Sequence, residues 1–274
     1  MLDLASPVWG KLQGPYGFSD RIPALIQHIG HDYFSEEKEE LYWELLYHQN
    51  TIYPCTYAAF PYLVEIALKT ENPDILLDIF ITCGIFEASS ENAPHLDLPS
   101  EFLRDQTPLL DHETIREIYR EYRHAILSLT EQTESILHLA RMGEHEADKR
   151  YILAADAAFR GDKDIANMLL TFLEGDEYVT VCPTCDQSIY LWPDKDEEVL
   201  FAYEDDPVSH GTAKRFSIVA KRPDMTNDSG LQRLYQRALE IGDKKLLAHL
   251  PYLAGELNCC SCDTPIQVWS GLFP

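Results

Sequence analysis

The chain has 274 residues, 46 of them acidic and 22 basic, for a formal net charge of −24. Its 45% hydrophobic content supplies a real core and excludes a disordered acidic tail. The charge argues against nucleic acid and against an anionic membrane surface as partners, and points to something basic.

Residues 1–10 lack the basic and apolar regions of a signal peptide. The longest apolar stretch, residues 75–86, contains Asp78 and is too short for about 30 Å of hydrocarbon. The expectation is a cytoplasmic protein without membrane association.

Helix follows helix to about residue 175. The first is expected over 35–49, capped by Ser35, with Leu41, Leu45 and Leu46 on one face. Glu36, Glu37, Glu39 and Glu40 fill its first turns, where the helix dipole favours carboxylates. A second is expected over 55–69, striped by Ala58, Tyr62, Ile66 and Ala67. Asn72-Pro73 opens a third, to about 87, since proline is pre-set for the first helical position. Residues 87–110 hold Pro94, Pro99 and Pro108 and read as a loop with room for one short turn. The longest helix is expected over 111–142. Two more, 146–160 and 162–174, are broken at Gly161. The predicted class is mostly α, a HEAT-like helical-repeat solenoid over residues 1–175, with a plain helical bundle as the alternative.

Residues 176–274 read as a separate region, a small C-terminal β, zinc-ribbon-like element. Strands are expected over 177–181, 188–192, 199–203 and 266–269, and a helical pair over 228–241 and 243–254.

The strongest signal lies in this region. C-P-T-C-D-Q-S-I-Y-L-W starts at Cys182, and C-C-S-C-D-T-P-I-Q-V-W starts at Cys259. Cys, Cys, Asp, Ile and Trp recur at the same offsets. Each stretch reads as a zinc knuckle, two thiolates on a tight turn. Together Cys182, Cys185, Cys259 and Cys262 form the four-thiolate set of a closed, structural Zn2+ site, for zinc or a similar thiophilic ion. Unmetallated turns are the alternative. A redox pair is weaker, because no thioredoxin-like βαβ pattern surrounds either motif. Cys260 is adjacent and competes as a ligand, but Cys259 keeps the matching spacing. The residues between the knuckles become an insertion carrying a strand and a helical hairpin.

A weaker repetition accompanies the first. Residues 157–169 resemble residues 238–250, with Gly161-Asp162 and Gly242-Asp243 each expected to end one helix and cap the next. Each hairpin precedes a knuckle, which suggests a duplicated unit. The alternative is that Gly-Asp is merely a common helix junction.

Searches for catalytic motifs return nothing. There is no G-x-S-x-G, no G-x-x-x-x-G-K-[ST] and no H-E-x-x-H. His28, His31 and Asp32 suit a metal less well than a polar helix end. Asp111-His112-Glu113 reads as a helix start, and Cys55 near His48 as a packed thiol. The expectation is a protein that is not an enzyme.

Residues 41–67, L-Y-W-E-L-L-Y-H-Q-N-T-I-Y-P-C-T-Y-A-A-F-P-Y-L-V-E-I-A, resemble a bacterial family of HEAT-repeat proteins. There one helix ends in H-Q-G-T-V-Y and the next carries T/S-Y-A-A-x-P-x-L-V. His48, Gln49, Thr51, Tyr53, Tyr57, Ala58, Ala59, Pro61 and Leu63 match, with Asn50 in place of glycine. A C-P-x-C-G knuckle also looks like some members, with Asp186 at the glycine position. Some relatives look like immunity proteins that bind and block polymorphic toxins. The resemblance therefore implies a binding protein, not a chemistry; joined to the acidic charge, the expectation is a cytosolic protein that neutralises a basic partner, a cognate toxin domain, by steric and electrostatic occlusion. The alternative is a helical-repeat scaffold or adaptor with a structural zinc site. Candidate contacts are His48, Gln49, Tyr53 and Tyr57, with the acidic Glu36, Glu37 and Glu40.

Overall fold

The computed structural model describes residues 1–273 apart from 92–97, 104–108, 143–145, 195–197 and 210–213. The fold is mostly helical, with small antiparallel sheets. The chain divides into two compact units. One comprises residues 1–136 and 154–163, the other residues 137–153 and 164–274.

In the first unit, a 3-10 turn buries Trp9, and its indole N–H donates to the Asp3 carbonyl at 3.0 Å. A short hairpin, β1 (Gln13–Gly14) with β2 (Gly17–Phe18), leads to α1 (Ile22–Ile29). Ile22, Leu25, Ile26 and Ile29 of α1 share one face and are buried.

The helix expected over 35–49 is shorter and irregular. It begins as α2 (Glu36–Glu39), continues as a π-helical turn over Glu40–Leu46 and stops there. Ser35 precedes it in extended conformation, but its side chain makes no capping bond. The last predicted positions instead form a hairpin, β3 (Tyr47–His48) with β4 (Thr51–Ile52). The cause is local. Gln49 and Asn50 take φ of 50° and 57°, the left-handed pair of a two-residue hairpin turn, which no helix accommodates.

Helix α3 (Pro54–Lys69) is apolar almost all round and runs through Pro61. Helix α4 (Pro73–Ala88) is capped by Asn72, whose side chain accepts the Asp74 N–H at 2.9 Å. The expected loop after it contains a 3-10 turn at Ser100–Phe102, and residues 92–97 and 104–108 lie outside the described residues. Helix α5 (His112–Met142) begins as expected, with Asp111 accepting the Thr114 N–H at 2.8 Å. Helices α6 (Lys149–Phe159) and α7 (Lys163–Thr171) follow, the first divided between the two units at residue 154 and the second belonging to the second unit from residue 164 on.

Gly84 of α4 meets Ala155 so closely that a Cβ on it would lie 2.2 Å from the Ala155 Cβ. Gly84→Ala is therefore expected to destabilise by about 1–3 kcal/mol through overpacking. Chemical denaturation is the check, and an unchanged midpoint would show that the contact yields.

In the second unit, β5 (Tyr178–Val181), β6 (Ser188–Pro193), β7 (Leu200–Tyr203) and β8 (Arg215–Ser217) form an antiparallel meander in chain order. Tyr178, Thr180, Ile189, Leu191, Leu200 and Ala202 alternate inward. Then come α8 (Ser229–Ile241) and α9 (Lys244–Leu253), then β9 (Glu256–Asn258) and β10 (Pro265–Gln267). The expected strand over 266–269 is cut short because Val268 is helical and starts a 3-10 turn at Trp269–Leu272.

The suggested duplication has a counterpart in element order. Helix, helix, strand, C-x-x-C and strand run as α6, α7, β5, β6 and again as α8, α9, β9, β10. Gly161 and Gly242 stand at equivalent junctions with φ of 87° and 73°. In both, the glycine and the aspartate after it return N–H bonds to the preceding helix.

Candidate metal centre

The two knuckles share the same backbone hydrogen bonds. In the first, Cys182 N–H donates to the Gln187 carbonyl at 2.9 Å and Asp186 N–H to the Cys182 carbonyl at 3.0 Å. In the second, Cys259 N–H donates to Thr264 at 2.9 Å and Asp263 N–H to Cys259 at 3.0 Å. Asp186 and Asp263 both take the left-handed conformation, with φ of 56° and 58°. Flanking strands hold each turn in the same register, Val181 opposite Ser188 and Asn258 opposite Pro265. The offset is constant at 77 residues (259 − 182 and 258 − 181). In each turn the first cysteine is buried and the second exposed.

The four sulfurs of Cys182, Cys185, Cys259 and Cys262 lie within 4.8 Å of one another. Each knuckle meets the other twice, Cys182 with Cys262 at 3.7 Å and Cys185 with Cys259 at 3.6 Å. A tetrahedral ion with metal–sulfur bonds of about 2.3 Å needs sulfurs about 3.8 Å apart. The donor set is therefore compatible with a metal site, and among the described residues it is the one such cluster of His, Cys, Asp and Glu.

Electrostatics favour a cation here. The side chain and N–H of Thr264 hold the Cys262 thiol down, to about 6. The Gln187 N–H also draws Cys185 down, but the surrounding cysteines outweigh it and push that thiol up to about 12. Once one thiolate forms, its neighbours resist ionising, and a bound cation removes that repulsion. Ser261 N–H donates to the Cys259 sulfur at 3.4 Å, adding to the fixed dipoles that face the cluster. Cys260 lies outside the four-sulfur set and is partly buried.

Of the candidate contacts, Gln49 and Glu36 are exposed, and His48 and Tyr53 are partly so. Glu40 pairs with Arg21 at 2.7 Å, and Glu37 lies 3.5 Å from His28. Tyr57 is 1% exposed and packs on Phe102, Tyr119 and Tyr122, so it supports the fold and presents nothing to a partner. Cys55 is also buried, which pushes its thiol up to about 11 and suits packing rather than nucleophilic chemistry.

Sequence reasoning missed two buried polar networks. Glu87 accepts the Tyr122 hydroxyl and lies 3.3 Å from Lys163, whose ammonium also donates to the Ser90 carbonyl at 2.8 Å. Burial holds the Lys163 ammonium below its ordinary range, partly offset by Glu87. In the second unit, Arg150 Nε donates to Asp243 at 2.6 Å, and the Tyr178 hydroxyl lies 3.2 Å from His249 Nδ1. Both networks find partners among themselves and read as braces.

Comparison with protein-family models, curated proteins and solved structures returns no match. No helix among the described residues is long and apolar enough to cross a membrane.

Proposed function

We propose that the chain is an immunity-type binding protein, a HEAT-like helical array stapled by a structural Zn2+, that neutralises a basic toxin domain. Cys182, Cys185, Cys259 and Cys262 hold the ion. Four thiolates leave no coordination position for water or substrate, so the metal shapes the protein rather than reacting.

The observation that carries the basic-partner reading is the charge excess together with where the bases are spent. Arg150, Lys163 and Lys38 are engaged by Asp243, Glu87 and Asp78. Arg160, Lys221 and Arg237 likewise face carboxylates. Each such pair uses one acid with one base, so the full excess of 24 carboxylates is left over. The field of such an excess speeds encounter with a basic cleft and repels acidic proteins.

The test is affinity capture of the tagged protein at low salt, followed by co-expression. One stoichiometric basic protein is expected, released as salt rises, whose toxicity the captured chain abolishes. A partner that is not toxic, or whose toxicity persists, would move the reading to a scaffold or adaptor.

A further inference from the structure

The β1–β2 hairpin converges on the H-Q-x-T-x-Y motif. Tyr16 stands between its strands, in Gly14-Pro15-Tyr16-Gly17, and is 67% exposed. An exposed tyrosine on a loop ordinarily swings free, but this one is held. Its ring lies on His48, 5.4 Å between centroids. Its hydroxyl donates to Glu44 at 3.2 Å and sits 3.4 Å from His48 Nδ1.

The neighbouring β3–β4 turn is fixed as well. Tyr47 donates to the Asn50 side chain at 2.8 Å, and Thr51 to the Gln49 carbonyl at 3.3 Å. Glu44 is delivered by the π-helical turn, an irregularity found more often at functional sites than elsewhere. A ring already fixed loses little entropy on binding, which is why rigid tyrosines carry so much interface energy.

The surroundings are anionic. Residues 1–53 contain eight acidic and three basic side chains. Two of those bases, Arg21 and Lys38, are already engaged by Glu40 and Asp78. Glu44 is exposed, and one tyrosine hydroxyl uses only part of a carboxylate's accepting capacity.

We propose that Tyr16, Glu44 and His48, beside the exposed Gln49-Asn50 turn, form the docking patch for a basic protein, an arginine of which stacks on Tyr16 and pairs with Glu44. A guanidinium suits both halves, being planar for the ring and forked for the carboxylate. The proposal rests on the basic-partner reading above.

The probe is a fluorescein-labelled Arg-Gly repeat peptide titrated by fluorescence anisotropy at low salt. Saturable binding is expected, weakened about tenfold by Tyr16→Ala and by Glu44→Gln, a loss of about 1.4 kcal/mol each. Tyr16→Phe keeps the ring and is expected to stay within about threefold of the parent. Glu131→Gln, which removes an exposed charge on α5, is the control and should change little. Circular dichroism checks that the variants fold alike. If Tyr16→Ala misfolds, Glu44→Gln and Tyr16→Phe decide the matter. Equal losses for Glu44→Gln and Glu131→Gln would overturn the patch while leaving a diffuse basic-partner reading intact. Absence of peptide binding to the parent would overturn the patch, while the basic-partner reading is decided separately by the capture experiment.

Discussion

Cys182→Ser should cost the second unit several kcal/mol and abolish stoichiometric zinc. Zinc binding in small thiolate modules is worth roughly 10–16 kcal/mol and couples to folding, because the unfolded chain has no preformed site. Here the ion would join turns 77 residues apart (259 − 182), so its loss frees a long segment. A loss of about 4 kcal/mol corresponds to roughly 8–16 °C in Tm at this size. Cys260→Ser is the internal control. It alters a partly buried thiol beside the site but outside the four-sulfur set, and should cost no more than about 0.5 kcal/mol. Metal analysis with thermal unfolding decides between them. Equal effects of the two substitutions would remove Cys259 from its assigned role. Less than about half a zinc per folded wild-type chain would remove the metal altogether. Because the ligands must be thiolates, affinity should also fall as pH falls and protons compete for sulfur.

That site was legible in the sequence for a physical reason. A C-x-x-C turn is local, and two copies with one constant offset announce a shared geometry before any tertiary contact is known. The Gly-Asp junctions were legible for the same reason, since a left-handed residue at a helix end is a local requirement. Helices α3, α4, α5, α8 and α9 begin and end close to where periodicity and capping residues place them. The failures are equally physical. The helix over 35–49 carries helical spacing throughout, but the Gln49-Asn50 turn overrides it. Strands β8 and β9 have three residues each, too few for an alternation to register. The resemblance placed Tyr57 among contact residues, whereas packing buries it. Glu87 and Lys163 look like ordinary surface residues until partners far away in sequence enclose them. Nothing in composition distinguishes a buried carboxylate from a solvated one.

Asp243 gives the second large effect, because it does two jobs with two oxygens. Oδ1 accepts the Leu246 N–H at 2.8 Å and caps α9, while Oδ2 accepts Arg150 Nε at 2.6 Å. Both residues are almost wholly buried, each side chain 7% exposed. Coulomb attraction and desolvation nearly cancel in such a pair, so its net contribution is small. Removing one partner is different, since it strands a charge away from water and costs about 3–5 kcal/mol. Arg150→Ala should therefore destabilise by that amount, leaving Asp243 with its cap but without its counterion. Asp243→Asn keeps an oxygen for the cap and loses the charge, whereas Asp243→Ala loses both. The difference between the two Asp243 variants should be close to a single capping bond, about 1 kcal/mol. The double variant Arg150→Met with Asp243→Asn removes both charges together and should recover much of the loss, since no unpaired ion remains. Denaturant midpoints for the parent, Arg150→Met, Asp243→Asn and this double variant form a double-mutant cycle. Additive losses, with no recovery in the double variant, would mean that Arg150 acts through its contacts to Tyr178 and the Phe172 carbonyl rather than through Asp243.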